Sequence, residues 1–502
     1  MLIIVDTLSH NRFPDPTMND APTRPMIPDV LAQRYASTAM LRLWSPEGRI
    51  VRERELWLAV MRAQRSLGVD IPEEAIAAYE AAKDQVDLAG IELRERELRH
   101  DIKARIEAFN ALAGYEHVHK GMTSRDLSDN VEQLQLRHSL ELLRGKAAAA
   151  LVQLGAAAAA HRDTPLVART HHVPAQATTL GKRLAMFGET LLRGFERLDG
   201  LCESYPLRGI KGAVGTRLDQ RSLMAGDEGK AVSDKVDGLE AAIAGELGFT
   251  RVLEAVGQVY PRTLDFEVVS ALVQVGAGLS DFATGMRLMT GHELVSEGFK
   301  AGQVGSSAMP HKMNARSSER INGFQVLLAG YLEMTSRLAG GQWNEGDVAC
   351  SVVRRVALPS AMFTLDGALE TFLTVLGEME VYEASLAREV RNQLPFLATT
   401  TLLMEAVKGG GGRETLHEVI RDHSVVVARG LRDGSLAEND LAARLGDDPA
   451  FPLERPAIEA VLADPLRFLG DAPAQADAFA ARVQALTKRF PDAATYRPEP
   501  IL

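Results

Sequence analysis

Five long stretches, roughly 126–162, 175–203, 263–296, 315–340 and 355–380, carry few prolines and little enrichment in β-branched residues. As a helix rising about 1.5 Å per residue, each spans well over ~30 Å. In the first of them Val131, Leu134, Leu140 and Leu143 approximate one face, and the alanine runs after Lys146 let another helix approach closely. Helices this long cannot bury all their apolar surface within one chain, so the expected fold is all-α, a long-helix bundle completed by other subunits.

Flanking patterns divide the rest. Residues 1–27 hold Pro14, Pro16, Pro22 and Pro25 with little periodicity and read as a loose N-terminal arm, with Met18 as an alternative start of translation. From 28 to 125 strong helix formers alternate with short polar breaks, giving a small N-terminal helical domain. The bundle then occupies 126–380 and a third helical domain 381–502. Gly409-Gly410-Gly411-Gly412 lacks the preceding strand and following Lys-Ser or Lys-Thr pair of a phosphate loop, and reads as a turn before the helix at Glu414.

The net charge of −11, with 67 acidic residues and no cationic stripe, speaks against a nucleic-acid-binding surface. Local basic clusters are then expected to serve small anions. No apolar run reads as membrane-length, and Met1 to Val5 is too short and lacks the basic flank of a signal peptide. Cys202 and Cys350 are too few for a disulfide framework, which fits a reducing, cytoplasmic setting.

Chemistry concentrates in three places. The run Val304-Gly305-Ser306-Ser307-Ala308-Met309-Pro310-His311-Lys312-Met313-Asn314 places hydroxyls, a cation and an amide in one irregular loop, with backbone N–H groups open to an anion. A second cluster, Arg169-Thr170-His171-His172-Val173-Pro174-Ala175-Gln176, offers His171 as a proton donor that titrates near neutral pH. A third spans Arg99-His100-Asp101 and His119 to Asp126, where Thr123 and Ser124 are placed to cap a long helix and to hold a carboxylate at its positive end. His117 and His119 have the His-x-His spacing of metal ligands, but a third ligand is not recognisable and Lys120 disfavours a cation, so no metal is expected.

The ten positions from Gly305 to Asn314 resemble the signature of the fumarase/aspartase superfamily, whose members eliminate fumarate by breaking a C–N or C–O bond. Within it the chain resembles the adenylosuccinate lyase family over about residues 30–430: the Thr-His-x-x-Pro-Ala-Gln-x-Thr-Thr segment at Thr170, the Arg-His-Asp segment, the Thr-Ser pair, and the glycine-rich loop Lys211 to Thr216. The resemblance implies a homotetramer with sites shared between subunits, no metal or organic cofactor, and a small-molecule nucleotide as substrate. It implies Ser306 as the base, activated by Lys312, with His171 as the acid, helped by His100. Arg34 and Tyr35 would hold the phosphate, and Arg99, Asp101, Thr123, Ser124, Gln258, Asn314, Arg320, Ser351 and Arg355 would be further substrate contacts. Two positions depart from the family: Ala315 stands where a proline commonly follows the signature asparagine, and Gly346 where many members have an arginine. Sister readings are argininosuccinate lyase, a carboxymuconate cycloisomerase, or a structural protein keeping the fold without turnover.

Overall fold

A computed structural model describes residues 28–224, 230–298, 309 and 311–500. The N-terminal part is a set of short helices: α1 (Val30–Arg34), α2 (Thr38–Trp44), α3 (Pro46–Ser66), α4 (Glu73–Ala82), α5 (Leu88–Leu98) and α6 (Asp101–Ala113). Then comes α7 (Ser124–Ala160), a hairpin of β1 (Pro165–Thr170) and β2 (Val173–Thr179), and α8 (Leu180–Ser204). Short α9 (Leu218–Leu223) and α10 (Lys230–Glu246) lead into α11 (Thr263–Gly291), β3 (Val295–Ser296), α12 (Arg316–Leu338), α13 (Ala349–Glu378) and β4 (Glu380–Val381). The chain closes with α14 (Glu383–Leu397), α15 (Thr399–Lys408), α16 (Arg413–Asp433), α17 (Leu441–Asp447), α18 (Arg455–Leu462) and α19 (Ala472–Gln484).

Helices α7, α8, α11, α12 and α13 form an up-and-down bundle, each packed on its neighbours, with α13 returning to α7. The alanines that favour helix also set the packing: Ala147 to Ala150 of α7 are all buried. At the centre lies α11, lined by Val268, Leu272, Val275, Leu279 and Phe282. Contrary to the sequence reading, α11 is long and apolar enough to cross a membrane, with a mean hydropathy of 1.2 over its best window. More than half of that window is buried inside the bundle, so its hydrophobicity is that of a central core helix.

The N-terminal helices share one continuous core with the bundle, while Leu402, Leu403, Leu416, Ile420, Leu441, Leu445 and Ile458 build a second, smaller one. Helix α19 leaves that second core and packs back on α7 and α8, with Phe479 and Val483 in the main core.

The second long helix begins at Leu180, not near 175, because residues 165–179 form the β1–β2 hairpin. Pro165 and Pro174 disfavour a helix interior, and Val167, Thr170, Val173, Thr178 and Thr179 suit strands. The α11 stretch ends at Gly291, and the last begins at Ala349, six residues before the expected start. The arm of residues 1–27 lies outside the described residues.

Candidate active site

One group of candidate residues gathers where α7 begins. The Thr123 N–H donates to Asp126 Oδ2 at 2.8 Å, closing the first turn of the helix. Asp126 is buried and also accepts from Arg208 Nη1 (2.7 Å) and from the N–H groups of Lys211 (2.9 Å) and Gly212 (3.0 Å). One carboxylate thus fixes Thr123 and Ser124 at the positive end of α7 and anchors the glycine-rich loop beside them. Arg208 extends the link, donating through Nη2 to the Gly257 carbonyl (3.0 Å), next to Gln258. Lys211 itself turns inward to Glu240 (2.8 Å), so its role is to hold the loop.

His100 caps α6, its Nδ1 accepting the Lys103 N–H at 3.3 Å and lying 3.8 Å from Asp101 Oδ1, while Arg99 is the left-handed cap of α5. These three residues line an open hollow of the surface. His119 was not among the residues singled out for a catalytic or substrate role. Its Nδ1 accepts from Trp57 Nε1 (3.1 Å), which leaves the proton of the neutral ring on Nε2, and its backbone is left-handed (φ 68°). Burial pushes its pKa down to about 4, with the nearby His100 adding to the effect and Asp126 opposing it. The histidine spacing suggested metal; what could have pointed to its actual surroundings is Trp57, too far away in sequence to be read as a partner. His117 Nδ1 meets Lys120 Nζ at 2.8 Å, so the two rings turn to a lysine and an indole.

Gln258 is held by its N–H to the Glu345 carbonyl (2.7 Å). A Cβ at Gly346 would come within 3.1 Å of Gln258 Cβ, so a side chain there would press on Gln258. Ser351 and Arg355 lie one turn apart on α13. Arg354 points inward instead, to Asp265 (2.7 Å), Glu132 (2.6 Å) and the Tyr260 hydroxyl. Burial alone would raise the Glu132 carboxyl, but Arg354, Arg49 and Arg262 hold it below the usual range.

His171 lies at the other end of the bundle. With His172 it forms the two-residue turn of the hairpin, between the paired Thr170 and Val173, and both histidines are left-handed (φ 52° and 65°). Such turns favour Asn-Gly, and for other residues the conformation costs about 1 to 2 kcal/mol each. Strain of this kind is concentrated at functional sites. The hairpin tip, α8 and α11 enclose a cleft of about 590 Å³ lined in part by Arg183, Thr190, Asp281 and His292. Arg169 is taken up by an ion pair with Glu389.

Ser306 and Ser307 lie outside the described residues, but both flanks of their loop are fixed. On one side the Glu297 carboxylate accepts the N–H groups of Ser317 (3.0 Å) and Ser318, capping α12. On the other, the Lys312 N–H bonds the Met309 carbonyl (3.0 Å), and the Tyr382 hydroxyl spans Met313 Sδ (3.4 Å) and Ser296 Oγ (2.9 Å). Lys312 is exposed and Asn314 half-buried. Ala315 has φ −80°, a value that proline also adopts, so that departure leaves the path of the chain unchanged. One turn into α12, Arg320 lies over the Tyr35 ring at 5.3 Å, and Tyr35 meets Phe324 edge-on at 5.1 Å. Arg34 ends α1 and is exposed. Among the described residues Arg34, Lys312, Arg320 and Arg355 have no carboxylate partner.

The structure therefore brings together Arg34, Tyr35 and Arg320 near the signature loop, and Thr123, Ser124, His100, Gln258, Ser351 and Arg355 at the start of α7. It does not bring His171 to that second group. Helix α7 has 37 residues, about 55 Å. The cleft at the hairpin tip reaches back along α8 to Thr190, only about 15 Å.

The sequence profile of a family described as Lyase matches residues 41–330, and one described as Adenylosuccinate lyase C-terminus matches residues 395–479. Adenylosuccinate lyases of Schistosoma mansoni and Saccharomyces cerevisiae are each 32% identical to the chain, over 454 and 456 residues, covering 89% of it and 93% of each relative. The adenylosuccinate lyase of Schizosaccharomyces pombe is 33% identical over the same shares. Among solved structures, the 3-carboxy-cis,cis-muconate lactonizing enzyme of Pseudomonas putida superposes with a TM-score of 0.75 at 24% identity, covering 91% of this chain and 99% of that one. A fumarate lyase of Mesorhizobium gives 0.73 at 22% identity, covering 91% and 100%. At such identities these two likenesses speak for the fold alone.

Proposed function

We propose, for a chain that belongs to the adenylosuccinate lyase family, a β-elimination releasing fumarate from adenylosuccinate to leave AMP, and from the succinylated aminoimidazole carboxamide ribotide to leave the carboxamide. The enzyme is a carbon–nitrogen lyase. The observation that carries the substrate is the cluster of Arg34, Tyr35 and Arg320 beside the exit of the signature loop, where neither cation has a carboxylate partner among the described residues. In a protein of net charge −11, such cations suit an anionic ligand.

In the proposed mechanism Ser306 takes the β-proton of the succinyl group, and Lys312 and Asn314 stabilise the carbanion delocalised into the adjacent carboxylate. The C–N bond then breaks, its electron pair goes to nitrogen, and His171 delivers the proton there. His100 assists, Thr123 and Ser124 receive a carboxylate at the positive end of α7, and Arg34 and Tyr35 hold the phosphate, with Arg99, Asp101, Gln258, Arg320, Ser351 and Arg355 as further contacts. The substrate carboxylate accepts the electrons, so no cofactor enters the scheme.

The same proposal makes the active site a joint product of several subunits. About 40 Å of bundle separates the hairpin tip from the start of α7, far more than one nucleotide spans. An apolar face is also available for assembly: Val352 and Val356 of α13, with Val348 at its N-cap, recur every four residues, Val352 being 73% exposed, and Val326 on α12 is 72% exposed. A homotetramer, as the family resemblance implies, buries such a face and brings the ends of different chains together. A cytoplasmic setting suits the two unpaired cysteines. Purified protein given adenylosuccinate should release fumarate and AMP in equal amounts; no release at any substrate concentration would refute the proposal.

A further inference from the structure

Deep in the bundle Lys146 of α7, 2% exposed, meets two carboxylates of α13, pairing with Asp366 and with Glu370 (2.6 Å). Both acids are buried as well. One cation cannot neutralise two buried carboxylates, so the remaining negative charge must be met by hydrogen-bond donors. Those donors come from two segments at opposite ends of the sequence. From one side the Ser37 N–H donates to Asp366 Oδ2 (2.6 Å), and the Ser37 hydroxyl accepts from Lys146 (2.8 Å). From the other, the Tyr496 hydroxyl and the Glu499 N–H (2.7 Å) both donate to Glu370.

The two segments also grip each other. Glu499 Oε2 accepts from both the N–H and the hydroxyl of Thr38, each at 2.9 Å. The Thr38 backbone bond, opposed by burial and helped by the Thr38 hydroxyl, holds that carboxyl below its usual range. Gln153 on α7 steadies the tail through the carbonyls of Ala493 (3.2 Å) and Tyr496 (3.0 Å). Three residues before Thr38 is Tyr35, packed so closely on α13 that a Cβ at Gly367 would lie 2.7 Å from Tyr35 Cβ. Tyr496 also packs on the main core, so the tail is held by apolar contact as well as by charge. The shared target of Ser37 and the tail is a charge cluster satisfied only when both are in place.

We propose that Tyr496 to Glu499 form a latch that sets the position of Arg34 and Tyr35 for the substrate phosphate, an inference that rests on reading that pair as the phosphate site. Glu499 acts as a positioning residue: it reaches the ligand only through Thr38 and the turn before it. Because the latch orients a binding group, loosening it should weaken binding more than turnover.

The test compares Glu499→Ala, Glu499→Gln and Arg34→Ala in the full chain, by steady-state kinetics with adenylosuccinate and by calorimetry with AMP and adenosine. Glu499→Ala should raise KM about fivefold or more with kcat within about twofold, and should weaken AMP binding while leaving adenosine unaffected. Glu499→Gln keeps an acceptor oxygen for Thr38 and should restore KM to near the wild-type value. In the Arg34→Ala background Glu499→Ala should raise KM by a smaller factor than it does in the wild type, since only Tyr35 is left for the latch to position. If Arg34→Ala raises KM while Glu499→Ala changes neither KM nor AMP affinity, or lowers only Tm, the latch is refuted and the phosphate site stands. If Arg34→Ala leaves AMP affinity unchanged, the phosphate-site reading falls, and the latch with it.

Discussion

His171→Ala and His100→Ala chains, each inactive alone, should restore activity when unfolded together, mixed equally and reassembled. His100 sits beside the start of α7 and His171 at the hairpin beyond its other end. The 37 residues of α7 make about 55 Å, and folding back along α8 as far as Thr190 recovers only about 15 Å. The roughly 40 Å that remain mean that any site using both histidines draws them from different chains. With random assembly each required histidine is intact half the time, so about one quarter of sites should contain both and the mixture should regain about one quarter of wild-type activity. The assay is fumarate release after reassembly, with native mass spectrometry to confirm hybrids and each variant refolded alone as the control. Hybrids that form without regaining activity would refute either the pairing of these residues in one site or their roles.

Three further outcomes are expected. Ser306→Ala should abolish elimination with binding nearly intact; a purified variant keeping more than about a tenth of turnover, a barrier change under ~1.4 kcal/mol, removes Ser306 as the base. Arg34→Ala should raise KM more than it lowers kcat, with some loss of turnover because remote binding energy also orients the reacting end; kcat falling while KM holds would contradict a phosphate contact. His119 is held near a pKa of about 4 by burial, against about 6.5 in an unfolded chain. Between those values the unfolded state binds more protons, so the stability from the neutral ring is complete above about pH 6.5 and lost as pH falls through 4. That makes wild type lose about 2 kcal/mol between pH 7 and 5 from this group. His119→Gln, which keeps an acceptor for Trp57, should lose correspondingly less at equal protein concentration, and equal losses would show that His119 does not carry the effect.

The long helices were legible because their signal is local: alanine density, helical spacing of leucines and few prolines fix α7, α12 and most of α8, α11 and α13. The hairpin at 165–179 was not, because its turn uses His171-His172 where the usual signal is Asn-Gly, and the alternation in its strands is weak. The candidate residues could be picked from motifs, but motifs do not carry distance. The helix read over 126–162 does lie between Thr123 and His171, but how far the hairpin folds back along α8 was not legible. His119 shows the complementary limit, since its tautomer is set by Trp57, 62 residues away in sequence, and its lowered pKa by burial. The return of α19 to α7 and α8 was equally hidden, because a helix of this length with one apolar face fits either core.

How an acidic protein offers an anion a welcoming site follows from how its arginines are divided. Arg208, Arg262 and Arg354 are buried and spent on the carboxylates of Asp126, Asp129, Glu132 and Asp265. Arg34 and Arg355 are exposed and Arg320 is half-buried over Tyr35, and none of the three has a carboxylate partner among the described residues. The neighbours Arg354 and Arg355 display the division within a single helical step. They are consecutive residues of α13, turned about 100° apart by the helix, and one ties the bundle together while the other is presented beside Ser351. Net charge therefore says little about this site: the excess of carboxylates lies elsewhere on the chain, and the local balance is set by which guanidinium groups the fold consumes.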